Sequence, residues 1–331
     1  MGIGACRSIG RVYSEIASNK RRSVIFVGLF FVLWLAIGAV AGLILRAVDH
    51  PINANGVQTS LGWTPVIAGM VICGVLAVGG IVYSLNSGAA LVLRVSGAVP
   101  ADPAKYQQLY NLVGALAVGD GIPTPAVYVI DDPSPNAFAT GVSPDKAAIT
   151  FTTGLLAIMN REELEGVAGH EMSHIKNHDI RLLLIVGTMI GMAALLASVL
   201  WRSVFFANMG RGGGRGGGQI VIVLFVAGAL LMVVGFIFGP LIRLALSRRR
   251  ESLADVSGVE LTRNPAGLLS ALKKLAQNDQ PFKNMNHATA AMCIEDPLQH
   301  HEAWYHHLYD THPPIEDRIA ELEKLLSGQS V

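Results

Sequence analysis

The sequence predicts an α+β membrane protein, four transmembrane helices joined to a mixed helix-and-strand domain on the cytoplasmic side of the bilayer. Three observations predict it. Apolar runs at residues 23–45, 64–85, 180–201 and 220–242 are each long enough to cross a hydrocarbon core of about 30 Å. The polar stretches between and after them alternate helical periodicity with short strand-like segments. Only 15% of the 331 residues are charged and 51% are hydrophobic, against about 25% charged in ordinary soluble domains.

Basic residues set the orientation. Residues 1–22 carry Arg7, Arg11, Lys20, Arg21 and Arg22 against the single acid Glu15. Arg243, Arg248, Arg249 and Arg250 follow the fourth run, whereas the loop 46–63 contains only Arg46. The loop 202–219 holds Arg202, Arg211 and Arg215. The positive-inside rule therefore puts both termini and residues 86–179 in the cytoplasm of a multi-pass inner-membrane protein in contact with the lipid bilayer. Ala39-Val40-Ala41 resembles a signal-cleavage site. The apolar run continues past it and a second run follows, so the segment is read as a retained span.

The domain order expected is a basic tail (1–22), two spans with a short external loop (23–85), the first half of the cytoplasmic domain (86–179), two spans with a Gly-rich loop (180–242), and the second half of the domain (243–331). Glycine pairs at four-residue spacing, Gly38/Gly42, Gly187/Gly191 and Gly235/Gly239, suit close helix packing in lipid. In the first half-domain, Asp102-Pro103 reads as a helix start, with the helix running to about Ala117. Ala126–Ile130, Asn136–Thr140 and Ala147–Thr152 read as strands, the last two about a Gly141-Ser143-Pro144 turn.

Function classes narrow from the same composition. A net charge of +1 offers no basis for a nucleic-acid partner, and none is expected. Arg211-Gly-Gly-Gly-Arg215-Gly-Gly-Gly lacks the G-K-[ST] end of a phosphate loop, so it reads as a flexible link and no nucleotide is expected. Cys6, Cys73 and Cys293 form neither a disulfide framework nor a C-x-x-C pair.

The informative stretch is His170-Glu171-Met172-Ser173-His174. Asn160 followed by Glu163 is an N-cap with a capping box, so a helix carries the motif. Two histidines four apart then share one face and reach one metal ion, with Glu171 about 100° round the helix, within reach of a water. H-E-x-x-H at helical spacing is the zinc-metalloprotease signature, with the glutamate as general base. Gly169, a poor helix former beside the ligands, leaves room for a close backbone.

A catalytic zinc takes a third protein ligand. His178 shares the helix face, but one straight helix does not readily wrap three ligands tetrahedrally, and the longer metzincin pattern is absent. Glu251 fits better. If spans three and four continue as helices, His174 and Glu251 stand about 9 and 13.5 Å above the same membrane face. Asp255, four residues on, could then fix the tautomer of a ligating imidazole. The alternative is that Glu251 and Asp255 are solvated charges behind an arginine run.

H-E-M-S-H-I-K-N-H-D, R-R-R-E-S-L-A-D and T-H-P-P-I-E-D-R-I together resemble the HtpX-type membrane zinc endopeptidases, relatives of the CAAX prenyl endopeptidases, over nearly the whole chain. The resemblance implies a gluzincin-like zinc protease domain binding one Zn2+ per chain through His170, His174 and Glu251. It implies Glu171 as base and Asp255 behind the ligands. It further implies that the strand of Asn136, Ala137, Phe138 and Ala139 pairs with substrate, and that His312 and Arg318 act near the reacting carbonyl. Its substrates would be damaged or misfolded membrane proteins. The Gly-rich 211–218 loop and the His-rich 287–312 stretch depart from the pattern. Two other readings stand beside it. An intramembrane zinc protease would bury the motif in a span, whereas here Arg161, Glu162, Glu163, Glu165, Lys176 and Asp179 surround it. A catalytically idle scaffold or adaptor would have no use for Glu171.

Overall fold

The computed structural model describes residues 3–48, 61–209, 225–226, 228–229, 248–277 and 315–327. It divides into two compact units. One comprises Met1–Ser23, Asn86–Gly187 and Pro240–Val331, the other Val24–Leu85 and Thr188–Gly239.

The second unit is helical. It contains most of α1 (Ile3–Val48) and α2 (Thr64–Val95) and the later part of α6 (Asp179–Met209). Ala17–Ala47 and Thr64–Val95, of 31 and 32 residues, are long and apolar enough to cross a membrane. Ile67, Val71, Ile72, Val75, Leu76 and Val82 lie exposed along α2, an arrangement that water disfavours and lipid accepts. The Gly38/Gly42 spacing works as expected: a Cβ on Gly38 would collide with the backbone of Gly69, and one on Gly42 with Pro65 and Val66. Ser84 and Thr188 hydroxyls hydrogen-bond to each other inside this unit.

Two details add to the sequence reading here. α1 begins at Ile3, so the basic segment 1–22 is helical almost throughout. Arg181 sits one residue into the third apolar run, so its charge-free part begins at Leu182. Of the fourth run and its Gly235/Gly239 pair, all but residues 225–226 and 228–229 lie outside the described residues, as do the Gly-rich loop and the His-rich stretch.

The first unit is an α+β domain. Its four-stranded sheet has the order β1-β2-β4-β3, with β1 at Val99–Pro100, β2 at Ala126–Ile130, β3 at Ala137–Gly141 and β4 at Ala147–Thr152. β4 runs parallel to β2 (Val127 opposite Ile149) and antiparallel to β3 (Ala139 opposite Ile149). Every residue of β4 is buried, as a central strand covered on both faces should be. Gly141 closes the β3–β4 hairpin at φ 149°, where a Cβ would lie 2.6 Å from the Lys146 carbonyl oxygen.

α3 (Gln107–Asp120) opens later than the Asp102-Pro103 signal suggested. Asp102 Oδ1 accepts the Ala104 N–H at 2.9 Å, and the Tyr106 N–H reaches the Asp102 carbonyl. The aspartate thus caps a separate turn, and the helix proper follows it, ending at Gly121 with φ 68°. A short α4 (Thr153–Ile158) leads into α5 (Arg161–Lys176). α7 (Arg248–Thr262), α8 (Pro265–Ala276) and α9 (Ile315–Leu326) complete the unit. Val167, Ala168, Met172 and Ile175 of α5 join one core with Val113 of α3, Ile149 and Phe151 of β4, and Leu268 and Leu272 of α8. The helix with the histidine motif is therefore the central element of its domain.

Candidate metal centre

α5 forms for the reasons its sequence carries. Asn160 Oδ1 accepts the Glu163 N–H at 2.9 Å, and Glu163 Oε2 accepts the Asn160 N–H at 2.8 Å, a complete capping box. Glu163 also binds α8: Ser270 Oγ donates to its Oε1 and Lys274 Nζ to its Oε2, both at 2.6 Å. Burial alone would raise the Glu163 pKa, but these donors overcome it and hold the carboxyl below its usual value. At the other end, Lys176 donates to Asp120 of α3 at 2.5 Å.

Gly169 lets a second backbone approach, as its position beside the motif suggested. A Cβ there would lie 2.9 Å from the Thr262 methyl and 3.2 Å from the Gly258 carbonyl oxygen of α7. α7 therefore crosses α5 at contact distance and lays Glu251 against the histidines. Glu251 Oε2 is 3.5 Å from His170 Nε2, and Oε1 is 3.6 Å from His174 Nε2. The two Nε2 atoms are 3.2 Å apart. His170, His174 and Glu251 are all buried, with one potential ligand atom from each lying within 4.8 Å of the others. Glu171, the residue after the first histidine, is 2% exposed on the same helix.

Each imidazole is backed by a carboxylate. His170 Nδ1 lies 2.8 Å from Asp255 Oδ1, and His174 Nδ1 lies 3.0 Å from Asp179 Oδ2. We assign the proton of each ring to Nδ1, donating to its carboxylate, which leaves both Nε2 lone pairs and the Glu251 oxygens converging. Burial lowers both imidazole pKa values, and Arg318 lowers that of His170 further, yet Asp255 and Glu251 raise His170 on balance, and Glu251 and Asp179 raise His174 well above its usual value. The site calls for positive charge, and two imidazoles with one carboxylate are a donor set suited to a divalent metal.

α9 supplies Arg318. Its Nε and Nη2 donate to Asp255 Oδ2 and Oδ1 at 2.9 and 2.6 Å, and the residue is 2% exposed. Burial opposes charge on Asp255, but Arg318 and then His170 hold its carboxyl well below the carboxylate range. Arg318 was expected near a reacting carbonyl. Its guanidinium forms a two-pronged ion pair with Asp255 and lies 3.3 Å from His170 Nδ1. His312 lies outside the described residues.

Two further points depart from the sequence reading. α5 does not run on into the next helix. It ends at Lys176 with Asn177 as its C-cap, His178 adopts φ 58°, and α6 starts at Asp179. His178 sits in this left-handed break and is not among the converging ligands. The break also swings Asp179 back onto His174, a role unforeseen because the aspartate read as the polar end of a span. The one available signal was an acid placed five residues after a ligating histidine. The strand of Ala137, Phe138 and Ala139 is the edge of the sheet and contacts α5, with Asn136 just before it. Asn136 Oδ1 accepts the Ala137 N–H and its own N–H reaches Thr152 Oγ1.

A family model described as Peptidase family M48 matches residues 103–326, the stretch that contains the whole cluster. The chain belongs to peptidase family M48. It is 40% identical over 317 residues to a protein named Protease HtpX homolog from Streptococcus mutans serotype c, covering 95% of this chain and 100% of that one. A Protease HtpX homolog from Lactobacillus helveticus is 37% identical over 324 residues, again covering 95% and 100%. The crystal structure of S. mikatae Ste24p matches 94% of this chain and 67% of its own at 18% identity and a TM-score of 0.47. As an M48 peptidase with long apolar helices, the protein is a membrane-associated metalloprotease, and the HtpX-type resemblance read from its motifs holds.

Proposed function

We propose that this M48 peptidase is a zinc endopeptidase that cleaves membrane proteins, damaged or misfolded ones in particular, from the cytoplasmic face of the inner membrane. The observation that carries the reading is the convergence of His170, His174 and Glu251 within 4.8 Å, with Glu171 beside them on α5. In this reading one Zn2+ per chain is held by those three residues. Both termini and the domain of residues 86–179 and 243–331 are cytoplasmic, with four spans at 23–45, 64–85, 180–201 and 220–242.

Bound there, zinc would supply a Lewis acid that polarises a carbonyl and lowers the pKa of a water. The chain does the rest. Glu171 takes the water proton and delivers it to the leaving amine. Asp255 and Asp179 keep the Nε2 lone pairs directed inward, and Arg318 fixes Asp255. Asn136, Ala137, Phe138 and Ala139 offer the edge of β3 to an extended substrate by strand addition, which reads backbone more than side chain. His312 is assigned to the oxyanion.

Metal analysis of Glu251→Ala tests the ligand set. The variant should lose zinc and proteolysis together. Full zinc with full turnover would put the third ligand elsewhere.

A further inference from the structure

We propose that Asn19, in the basic segment ahead of the first apolar run, is a positioning residue of the metal centre. The proposal rests on the zinc reading above. Asn19 is completely buried. Its Nδ2 donates to Asp179 Oδ1 at 2.6 Å and to the Asn177 carbonyl at 3.1 Å. Arg250 Nη1 adds a second donor to the same Asp179 oxygen at 3.1 Å and lies 3.5 Å from Asn19 Oδ1. The other Asp179 oxygen receives His174 Nδ1 at 3.0 Å.

These contacts form one chain from α1 to the ligand. The break after α5 leaves the Asn177 carbonyl outside the helical ladder, and Asn19 satisfies it. The same amide holds the Asp179 carboxylate by its far oxygen, so the near oxygen has one orientation to offer His174. An imidazole held at Nδ1 presents Nε2 in a fixed direction, here toward Glu251. Arg250, the residue before Glu251, ties α7 to the same point. A neutral amide suits this place. Asp179 already has a cation in Arg250, and a second one would leave buried positive charge beside a metal.

The helix that leads into the first span thereby contributes to metal affinity. Loss of a partner behind a ligand typically costs about 10–100-fold in metal affinity, and Asn19 stands one bond further out, so about 10-fold is expected. The test uses the full chain in detergent and titrates Zn2+ against a competing chromogenic chelator at neutral pH. Asn19→Ala should weaken zinc by about that factor. So should Asn19→Asp, which keeps the size of the side chain but replaces the donor with an acceptor. In an Asp179→Ala background Asn19→Ala should add nothing, because its route to His174 is already cut. Casein turnover lost at limiting zinc should return at saturating zinc with KM unchanged. Ser23→Ala, which removes a hydroxyl bonded to the Asn19 carbonyl, should leave zinc affinity alone.

Unchanged affinity in both Asn19 variants would overturn the proposal. So would a loss that adds in full to that of Asp179→Ala, the mark of a general packing role. His174→Ala separates the two levels of argument. If it retains zinc, the metal reading itself fails. If it loses zinc while the Asn19 variants do not, only the role of Asn19 falls.

Discussion

Gly258 of α7 lies against His170 of α5 so closely that a Cβ on the glycine would stand 2.9 Å from the histidine amide nitrogen. The neighbours it would meet are the backbone of Gly169 and His170, which cannot rotate away. This contact sets how near α7, and with it Glu251, comes to the histidines.

Gly258→Ala should therefore push α7 outward. Alanine gains up to about 1 kcal/mol of helix propensity, but forced overpacking costs about 1–3 kcal/mol, so the net sign is destabilising. Denaturant unfolding of the metal-free protein should show the loss, and zinc titration should show weaker binding. A variant that is more stable and binds zinc normally would mean the two helices can separate without consequence.

Arg318 and Asp255 form a buried two-pronged ion pair. Removing one partner of such a pair costs about 3–5 kcal/mol, because the other charge stays buried alone. Arg318→Met should lose stability on that scale and bind zinc less tightly through His170. Unfolding curves matching those of the unaltered protein would show that the pair does not hold α9 on α7.

The capping box predicts a pH dependence. The Glu163 carboxyl has its pKa lowered in the folded state. Its contribution is therefore complete above the unfolded value of about 4.5 and is lost as pH falls through the folded one. The Tm difference between the protein and Glu163→Gln should be largest near neutral pH and shrink below about pH 4. A difference that grew on acidification would contradict the role given to Lys274 and Ser270.

Much of this domain was legible because its signals are local. β2 and β4 fall on the residues their β-branched pattern marked out, and α5 starts at its capping box. Gly169 foretold a close backbone, since nothing else explains glycine in that helix. Glu251 was reached by a height argument that assumed continuous helices. The glutamate does lie at the histidines, although the chain breaks at His178, φ 58°. A left-handed histidine leaves no composition signal, so the break was invisible. Asp179 and Asn19 were missed for one reason: polar residues at the ends of apolar helices read as solvated boundaries, and only tertiary structure shows them buried together.

Topology has its own test. Single cysteines in 46–63 and 202–219 should react with an impermeant thiol reagent added from outside intact cells, and cysteines in 86–179 should not. Labelling of either loop only from the cytoplasmic side would break the four-span arrangement.

The central claim is that Glu171 performs proton transfer at a zinc held by His170, His174 and Glu251. Glutamine nearly matches glutamate in shape but cannot accept the proton. Glu171→Gln should therefore keep its fold and its zinc while turnover falls by about 10²–10⁴-fold, the usual contribution of a general acid–base group. The decisive measurement is cleavage of a membrane-protein substrate by both forms, normalised to bound zinc. The account predicts a loss of at least about 10² per zinc; equal turnover in the two would contradict it.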